Sequence, residues 1–317
     1  MNRERGVDSV AVLQVEHLTK DYGHNKGVFD VSFSIEEGEV FGFLGPNGAG
    51  KTTTIRHILG FSRPQSGRTT VEGLDSWKQA DAIQRTMGYL PGEIAFPDDM
   101  TGRAFIRYMA ELRGLKDLAK AERLIERFEL DPSGKLKRMS KGMKQKIGIV
   151  CAFMHDPRIL ILDEPTSGLD PLMQNAFVDL IAEEKAQGKT ILMSSHIFEE
   201  VEKTCDRIAI IKAGRIEANI DADEMRHTRR KIYKLELLND EQWPAFSAEK
   251  LEFVECKPEK RQARIAVQDE DINAFIERLS QYELKYLSEE KRTLETYFMH
   301  FYAGSQPLQK EGHRDVQ

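Results

Sequence analysis

The chain of 317 residues carries a net charge of −6 at pH 7, and 31% of its residues are charged. This length is typical of two domains, and the acidic balance supplies no basic field that would recruit nucleic acid, so we expect no nucleic-acid partner. The amino-terminal residues are polar and no apolar run approaches the roughly 18 residues of a membrane span, so we expect a chain that does not cross a bilayer.

Two stretches near the amino terminus alternate between apolar and polar residues, which is typical of strands. They cover residues 10–15 and 28–35, and a charged turn containing glycine joins them. Tyr22 lies in that turn. Its ring could stack on a nucleotide base, or it could be a half-buried packing residue, and both interpretations stay open at this point.

A glycine-rich stretch, GPNGAGKTT, lies between a short apolar run and a predicted helix. A strand, a glycine turn and a helix N-terminus together direct backbone N–H groups and the positive end of the helix dipole to one point, which suits a phosphate. Lys51 would add charge at the β- and γ-phosphates, and the Thr52 hydroxyl could ligate Mg²⁺. The stretch therefore predicts a phosphate-binding loop. Its members are Gly45, Pro46, Asn47, Gly48, Ala49, Gly50, Lys51, Thr52 and Thr53.

The period of the apolar residues changes in the middle of the chain. After short predicted strands at 68–71 and 86–90, apolar residues recur every three or four positions from 101 to 154, which predicts a helical insertion. Ser140 and Gly142 lie there just before an apolar helix, a second helix N-terminus suited to an anion. We interpret the basic residues around them as a solvated or phosphate-facing end, because no aromatic residues alternate with them.

Four large apolar residues at 159–162 are followed by two carboxylates, Asp163 and Glu164. This pattern is typical of a central parallel strand whose carboxyl end carries function. Two acids at the end of a buried strand need a cationic partner, and Mg²⁺ on a nucleotide would supply one. The alternative is that the acids only cap the next turn, and the predicted phosphate-binding loop upstream disfavours it. His196 follows the next core strand and should lie at the same edge.

Strands and helices alternate up to residue 220, which predicts an α/β fold with a mostly parallel sheet. The charged segment 221–230 is interpreted as a linker. Residues 231–302 predict a small α/β accessory domain without a catalytic motif, for which dimerisation or regulation is the expected role. The polar tail at 303–317 is predicted to be disordered.

Over residues 10–220 these motifs, in this order, resemble the ATP-binding subunit of an ATP-binding-cassette (ABC) transporter. GPNGAGKTT is similar to the Walker A loop, ILILDE to the Walker B strand, SGLD to the D-loop and SSH to the switch histidine. Tyr22 is similar to the aromatic residue of the family's A-loop. The resemblance implies a P-loop NTPase core with a helical subdomain at about 92–154, followed by the small α/β domain.

The stretch MSKGMKQ at 139–145 is similar to the family's LSGGQ signature but carries Lys141 and Met143 in place of glycine and glutamine. This variant, and the length of chain beyond residue 220, are similar to the drug- and antibiotic-export branch of the family.

The family resemblance implies an ATPase that closes as a dimer, in which Ser140 and Gly142 of one subunit cover the γ-phosphate held by the other. The residues implied to act in catalysis are Glu164, His196 and Lys51. The implied Mg²⁺ ligands are Thr52 and Asp163. The residues implied to contact the nucleotide are Tyr22, Gly45, Pro46, Asn47, Gly48, Ala49, Gly50, Lys51, Thr52, Thr53, Ser140, Gly142 and Asp170.

The resemblance also implies partners: integral membrane permease subunits and a second ATPase subunit, either identical or related, at the cytoplasmic face of the cell membrane. The main alternative is a soluble ABC-type ATPase that acts as a switch on ribosomes or DNA-repair complexes. Such proteins usually carry two cassettes or a long coiled-coil insertion, whereas this chain has one phosphate loop and no long heptad run. A small-molecule kinase is disfavoured because it would have no use for the signature and D-loop residues.

The sequence departs from the family pattern at Gly92, where the family usually has a glutamine that contacts Mg²⁺ and the attacking water. Glu93 follows directly. We hypothesise that Glu93 takes over part of that role.

Overall fold

The computed structural model describes residues 11–222, 230–290 and 294–295. The chain divides into two compact units, with the boundary after Ala222. The strands of the first unit are β1 (Ala11–Asp21), β2 (Gly27–Glu36), β3 (Val40–Leu44), β4 (Ser66–Val71), β5 (Leu74–Asp75), β6 (Met87–Leu90), β7 (Ile159–Asp163), β8 (Thr190–Ser195), β9 (Arg207–Lys212) and β10 (Arg215–Asp221). Its helices are α1 (Lys51–Ile58), α2 (Ala80–Thr86), α3 (Gly102–Leu112), α4 (Ala119–Arg127), α5 (Lys141–Phe153), α6 (Pro171–Ala186) and α7 (Phe198–Thr204).

A six-stranded sheet of order β10-β9-β3-β8-β7-β6 forms the centre of the first unit. Its strands run parallel except for β10, which pairs antiparallel with β9. Every residue of β3, β7 and β8 is buried, as expected for a sheet covered on both faces. The register places Leu44 beside Ser195 and Asp163 beside Ser194. The carboxyl ends of these strands therefore meet at one edge, where the loops that follow them converge.

A second, antiparallel sheet of order β2-β1-β4-β5 packs against the first. Its apolar side joins the strand β3 in one core, in which the Phe33 ring stacks on Phe41 with 5.1 Å between centroids. Arg207 on β9 donates to the carboxylate of Glu39, the residue before β3, and to the Ser34 carbonyl, so it joins the two sheets at their border. This sheet supports the loop between β1 and β2 that carries Tyr22.

The predicted helical stretch contains α3, α4 and α5. Thr101 caps α3 by accepting a hydrogen bond from the Ala104 N–H, and Ser140 caps α5 in the same way from the Met143 N–H at 3.2 Å. Among the residues described, no helix is long and apolar enough to span a membrane.

The second unit contains β11 (Arg230–Leu237), α8 (Trp243–Ser247), β12 (Glu252–Lys257), β13 (Gln262–Gln268), α9 (Ile272–Leu279) and β14 (Leu284–Glu290). The strand order is β12-β13-β11-β14 with every pair antiparallel, which is the ferredoxin-like arrangement of a split βαβ motif. Its core, which includes Leu235, Phe246, Ile265 and Phe275, is formed from this unit's own residues.

The predicted α/β class is confirmed, and some element predictions need correction. The strand predicted at 10–15 continues to Asp21. The prediction ended too early because a register irregularity between Val15 and Leu18 and a positive φ at His17 interrupt the alternation of apolar and polar residues. Helix α2 was not predicted. The ends of the segment predicted as a linker belong to strands, since β10 ends at Asp221 and β11 begins at Arg230. The predicted final helix, apart from residues 294–295, and the predicted tail lie outside the described residues.

Candidate functional site

The loop between β3 and α1 needs glycine at two of its positions. Gly48 and Gly50 adopt φ values of +80° and +113°, and a Cβ on Gly50 would lie 2.8 Å from Val28 Cγ1. The chain enters α1 directly from Gly50, without a side-chain cap. The first N–H groups of α1 therefore follow a loop free of bulky side chains, a geometry suited to a phosphate.

The Lys51 side chain is buried and turns back into this loop. Its ammonium donates to the Gly45 carbonyl at 2.6 Å, and it forms an ion pair with Glu164, with 3.0 Å between Nζ and Oε1. Only 5% of Lys51 is exposed. The phosphate loop and the end of β7 are thus joined by one charge pair.

The two acids at the end of β7 have different surroundings. Asp163 is 1% exposed, and its Oδ2 accepts a hydrogen bond from the Thr52 hydroxyl at 2.7 Å. Its Oδ1 accepts from the Ser194 hydroxyl. A carboxylate oxygen and a hydroxyl oxygen therefore lie together beneath the start of α1.

Glu164 leaves the strand direction, with a φ of +50°, and turns toward the cavity edge. Its Oε2 contacts Nδ1 of His196, while its backbone N–H donates to the Ser194 carbonyl at 3.1 Å. Gln145 on α5 donates to the carbonyls of Glu164 and Pro165 at 3.2 Å and 2.8 Å. The acid is therefore fixed from three sides: the loop lysine, the switch histidine and the helix α5.

These groups surround one cavity of about 1070 Å³ at the carboxyl edge of the parallel sheet. Burial raises the pKa of the lining residue Tyr89 to about 12, and the charge of Asp163 adds to this rise. Tyr22 lines the cavity and is 57% exposed. The predicted residues that line the cavity are Tyr22, Pro46, Asn47, Gly48, Gly50, Lys51, Thr52, Thr53, Gly92, Glu93, Asp163, Glu164 and His196.

The other predicted residues do not line this cavity. Gly45 and Ala49 belong to the loop itself. Ser140 caps α5, and Asp170 caps α6 by accepting from the Met173 N–H at 3.0 Å. Gly142 lies against the D-loop stretch, because a Cβ there would be 2.5 Å from the Gly168 carbonyl oxygen.

Gly92 lies directly against Asp163. A Cβ built on Gly92 would be 3.3 Å from Asp163 Oδ2, so the backbone of this loop approaches the acid closely. Glu93 lines the same cavity. The position where the family usually has a glutamine therefore offers no side chain toward Asp163. The carboxylate of Glu93, the next residue, is the nearest one to Gly92 along the sequence.

Sequence reasoning did not assign individual roles to several residues of this region. Ser194 and Gln145 lie within the quoted motifs SSH and MSKGMKQ, but their contacts to the acids depend on the fold. Lys141 lines the cavity and donates to the Ser167 hydroxyl at 2.7 Å. Its replacement of the usual signature glycine was the signal that could have identified it.

The fold and this cavity define a nucleotide-binding protein of the phosphate-loop class. A family model described as "ABC transporter" matches residues 28–167. The chain is 43% identical over 197 residues to the ABC transporter ATP-binding protein NatA of Bacillus subtilis (strain 168), which covers 60% of this chain and 80% of that relative. It is 38% identical over 208 residues to the linearmycin resistance ATP-binding protein LnrL of the same organism, covering 64% and 67%.

Among solved structures, the ATP-binding subunit of an ABC transporter superposes with a TM-score of 0.62 at 36% identity, covering 68% of this chain and 92% of that chain. The chain belongs to the family of ABC transporter ATP-binding proteins. It is an ATPase subunit related to export and resistance systems, as predicted. These comparisons give no support to the alternative of a switch on ribosomes or DNA-repair complexes.

Proposed function

We propose that this subunit binds MgATP in the cavity at the carboxyl edge of the parallel sheet and hydrolyses it with Glu164, His196 and Lys51. The observation that carries the proposal is the convergence of these three residues, with Thr52 and Asp163, around one cavity. The loop residues 45–53 would hold the phosphates, and Tyr22 would stack on the base.

The donor set at Thr52 and Asp163 fits Mg²⁺. This ion prefers hard oxygen ligands and takes only one or two from protein, the rest coming from phosphates and water. In the described part of the chain, no cluster of three or more His, Cys, Asp or Glu side chains could hold a metal by itself, which agrees with a metal that arrives with the nucleotide. When bound there, Mg²⁺ would neutralise charge on the β- and γ-phosphates.

Glu164 is proposed to orient the attacking water and to accept its proton at the carboxylate that now contacts His196 and Lys51. The γ-phosphate would compete with Glu164 for the Lys51 ammonium, which frees the carboxylate for water. His196, held on Glu164, would face the same phosphate. The work of these residues is positioning and electrostatic stabilisation rather than covalent chemistry.

Ser140, Gly142 and Asp170 are proposed to act in a dimer. Ser140 and Gly142 start α5 and lie outside the cavity of their own chain, so they remain available to a nucleotide held by a partner subunit. Asp170 caps the helix that follows the D-loop and would communicate across the interface. The partner would be a second copy or a related ATPase subunit.

We further propose that residues 10–220 form the ATP-binding domain, with the helical subdomain at about 92–154, and that 231–302 form an accessory domain. Closure of the dimer on ATP would drive separate membrane permease subunits at the cytoplasmic face of the membrane. The direction of transport that we propose is export. Affinity purification of tagged protein from solubilised membranes of its source organism tests this. We expect a stoichiometric membrane protein with several spans, and ribosomal or repair proteins in its place would contradict the proposal.

Two substitutions test the site itself. Lys51→Ala should weaken nucleotide binding, because the loop loses its only lysine, whereas Glu164→Gln should bind MgATP normally but hydrolyse it at least about 100-fold more slowly, a loss typical of removing a catalytic base. Binding is measured by calorimetry and turnover by phosphate release. Wild-type turnover in Glu164→Gln would contradict the assignment.

A further inference from the structure

Glu200 is a buried carboxylate that the proposed mechanism does not use. It lies on α7, just after the turn that carries His196, and is 6% exposed. Its Oε2 accepts hydrogen bonds from the Ser195 hydroxyl at 2.8 Å and from the Thr166 hydroxyl at 3.1 Å. Its Oε1 is buried without a hydrogen-bond partner in the part of the chain that the structure describes. A carboxylate held in this way costs stability, which is typical of a group retained for function.

The first hydroxyl donor, Thr166, belongs to the tight turn that follows Glu164. The Ser167 N–H donates to the Glu164 carbonyl at 3.1 Å, and the Leu169 N–H donates to the Thr166 carbonyl at 3.0 Å. Thr166 is 3% exposed. It is therefore an integral part of the turn between Glu164 and Asp170, and a displacement of Thr166 would displace Glu164.

The second hydroxyl donor, Ser195, belongs to the turn that carries His196. Its Oγ accepts a hydrogen bond from the Ile197 N–H at 2.9 Å while it donates to Glu200, so the hydroxyl closes this turn around the histidine. One oxygen of Glu200 therefore joins two loops, one bearing the proposed base and one bearing the switch histidine.

The helix that carries Glu200 is fixed on the sheet and not only on these loops. Val201 and Cys205 pack over Gly42 in β3, where a Cβ would lie 2.6 Å from Val201 Cγ1 and 2.9 Å from Cys205 Sγ. Because residue 42 has no side chain, α7 lies directly on the strand that leads into the phosphate loop. Through α7, Glu200 thus connects both loops to β3, the strand that leads into the phosphate-binding loop.

The electrostatics of Glu200 agree with a group placed for function. Burial raises the pKa of its carboxyl to about 7, the hydrogen bonds from Ser195 and Thr166 oppose this rise, and the charge of Glu164 adds to it. A carboxyl held at such a cost near an active cavity is a functional candidate when geometry supports it.

We propose that Glu200 is a positioning residue for ATP hydrolysis, which sets the distance between the Glu164 turn and the His196 turn so that Glu164 reaches the attacking water while His196 faces the γ-phosphate. The proposal rests on the proposed roles of Glu164 and His196. Glu200 itself touches neither the nucleotide nor water in this scheme. Its effect should therefore appear in turnover and not in nucleotide binding.

The test compares Glu200→Ala, Glu200→Gln and the control Glu199→Gln in the full chain. Glu199 is the exposed neighbour that pairs with Lys203. We expect Glu200→Ala to lower kcat by about tenfold or more, the scale of a loop misplaced by a fraction of an ångström, with little change in ATP affinity. Glu200→Gln keeps an oxygen that accepts from both hydroxyls, so it should restore most of the turnover. Glu199→Gln should match the wild type.

Thr166→Val provides an independent variant, because it removes one hydroxyl at nearly constant volume. It should lower kcat, and combining it with Glu200→Ala should add little, since both changes break the same link. If Glu200→Ala fails to fold, Thr166→Val and Glu200→Gln decide the question. Wild-type kcat in Thr166→Val, or a Glu200→Gln variant as inactive as Glu200→Ala, would overturn the proposal. Absence of ATPase activity in the wild-type protein would contradict the proposed function, and with it the Glu200 proposal that rests on it.

Discussion

Asp163 and Glu164 are adjacent in the sequence, yet the fold gives them separate partners. Asp163 is the last residue of a buried strand and accepts hydrogen bonds from two hydroxyls, whereas Glu164 leaves the strand at a positive φ and contacts a lysine and a histidine. A non-glycine residue at such a φ costs about 1 kcal/mol or more. This backbone conformation turns the second carboxylate toward the lysine and the histidine, while the first stays beside the two hydroxyls.

The contact between Gly92 and Asp163 makes the neighbouring Glu93 testable at the residue scale. Because Gly92 offers no side chain beside the acid, we propose that Glu93 supplies the polar group in place of the usual glutamine, and we expect Glu93→Ala to lower turnover about tenfold, within the range for one positioned polar group. Phosphate release at saturating MgATP measures this.

The matched control for Glu93→Ala is Asp98→Ala. Asp98 is an exposed carboxylate of the same loop region that pairs with Lys137 and lies outside the cavity. The Asp98→Ala substitution should leave turnover unchanged. If Glu93→Ala also leaves MgATP affinity, hydrolysis and coupling to the membrane partner unchanged, the hypothesis for Glu93 is wrong.

Among the elements, a partly buried ion network joins the helix α4 to α6 and to the residue that precedes β8. Glu184 on α6 is 3% exposed and pairs with Lys189 and Lys120, the latter at 2.8 Å. Asp156 pairs with the same two lysines, and these hydrogen bonds lower the pKa of Asp156 to about 2. The helical stretch is therefore attached to the α/β core by charges that come from separate parts of the chain.

Removal of Glu184 should be costly, because Lys189, which is 8% exposed, and Lys120 would keep only Asp156, a carboxylate that is 62% exposed. We expect Glu184→Ala to lower the free energy of unfolding by about 3 kcal/mol. The adjacent Glu183 is 58% exposed and pairs with Arg127, so Glu183→Ala should cost less than about 1 kcal/mol. Urea denaturation followed by circular dichroism compares the two variants. Equal losses would contradict the assignment of the network as buried and structural.

The sequence predicted the elements whose pattern is local and left out those that depend on distant contacts. The phosphate loop and the buried strands β3 and β7 were predictable because short apolar runs and glycines mark them. The second half of β1 was not predictable, because a bulge breaks its alternation. The pairing of Glu184 with Lys120 and of Glu200 with Thr166 could not be predicted either, since these residues are far apart in sequence and come together only in the fold.

At the scale of the whole molecule, the predicted site residues belong to the first unit, and the second unit has its own core. The sheet order β12-β13-β11-β14 of the second unit depends on pairing between its first and third strands, which alternation patterns do not specify. The predicted small α/β composition was therefore accessible from the sequence, while its topology was not.

We propose that two subunits close over MgATP, with α5 of one facing the phosphates held by the other. Sedimentation velocity of the Glu164→Gln protein, with and without MgATP, tests this closure. We predict a monomer without nucleotide and a dimer with MgATP, and the additional change Lys51→Ala should abolish the dimer. A Glu164→Gln protein that binds MgATP and stays monomeric at every concentration, or a dimer that is indifferent to nucleotide, would contradict the claim.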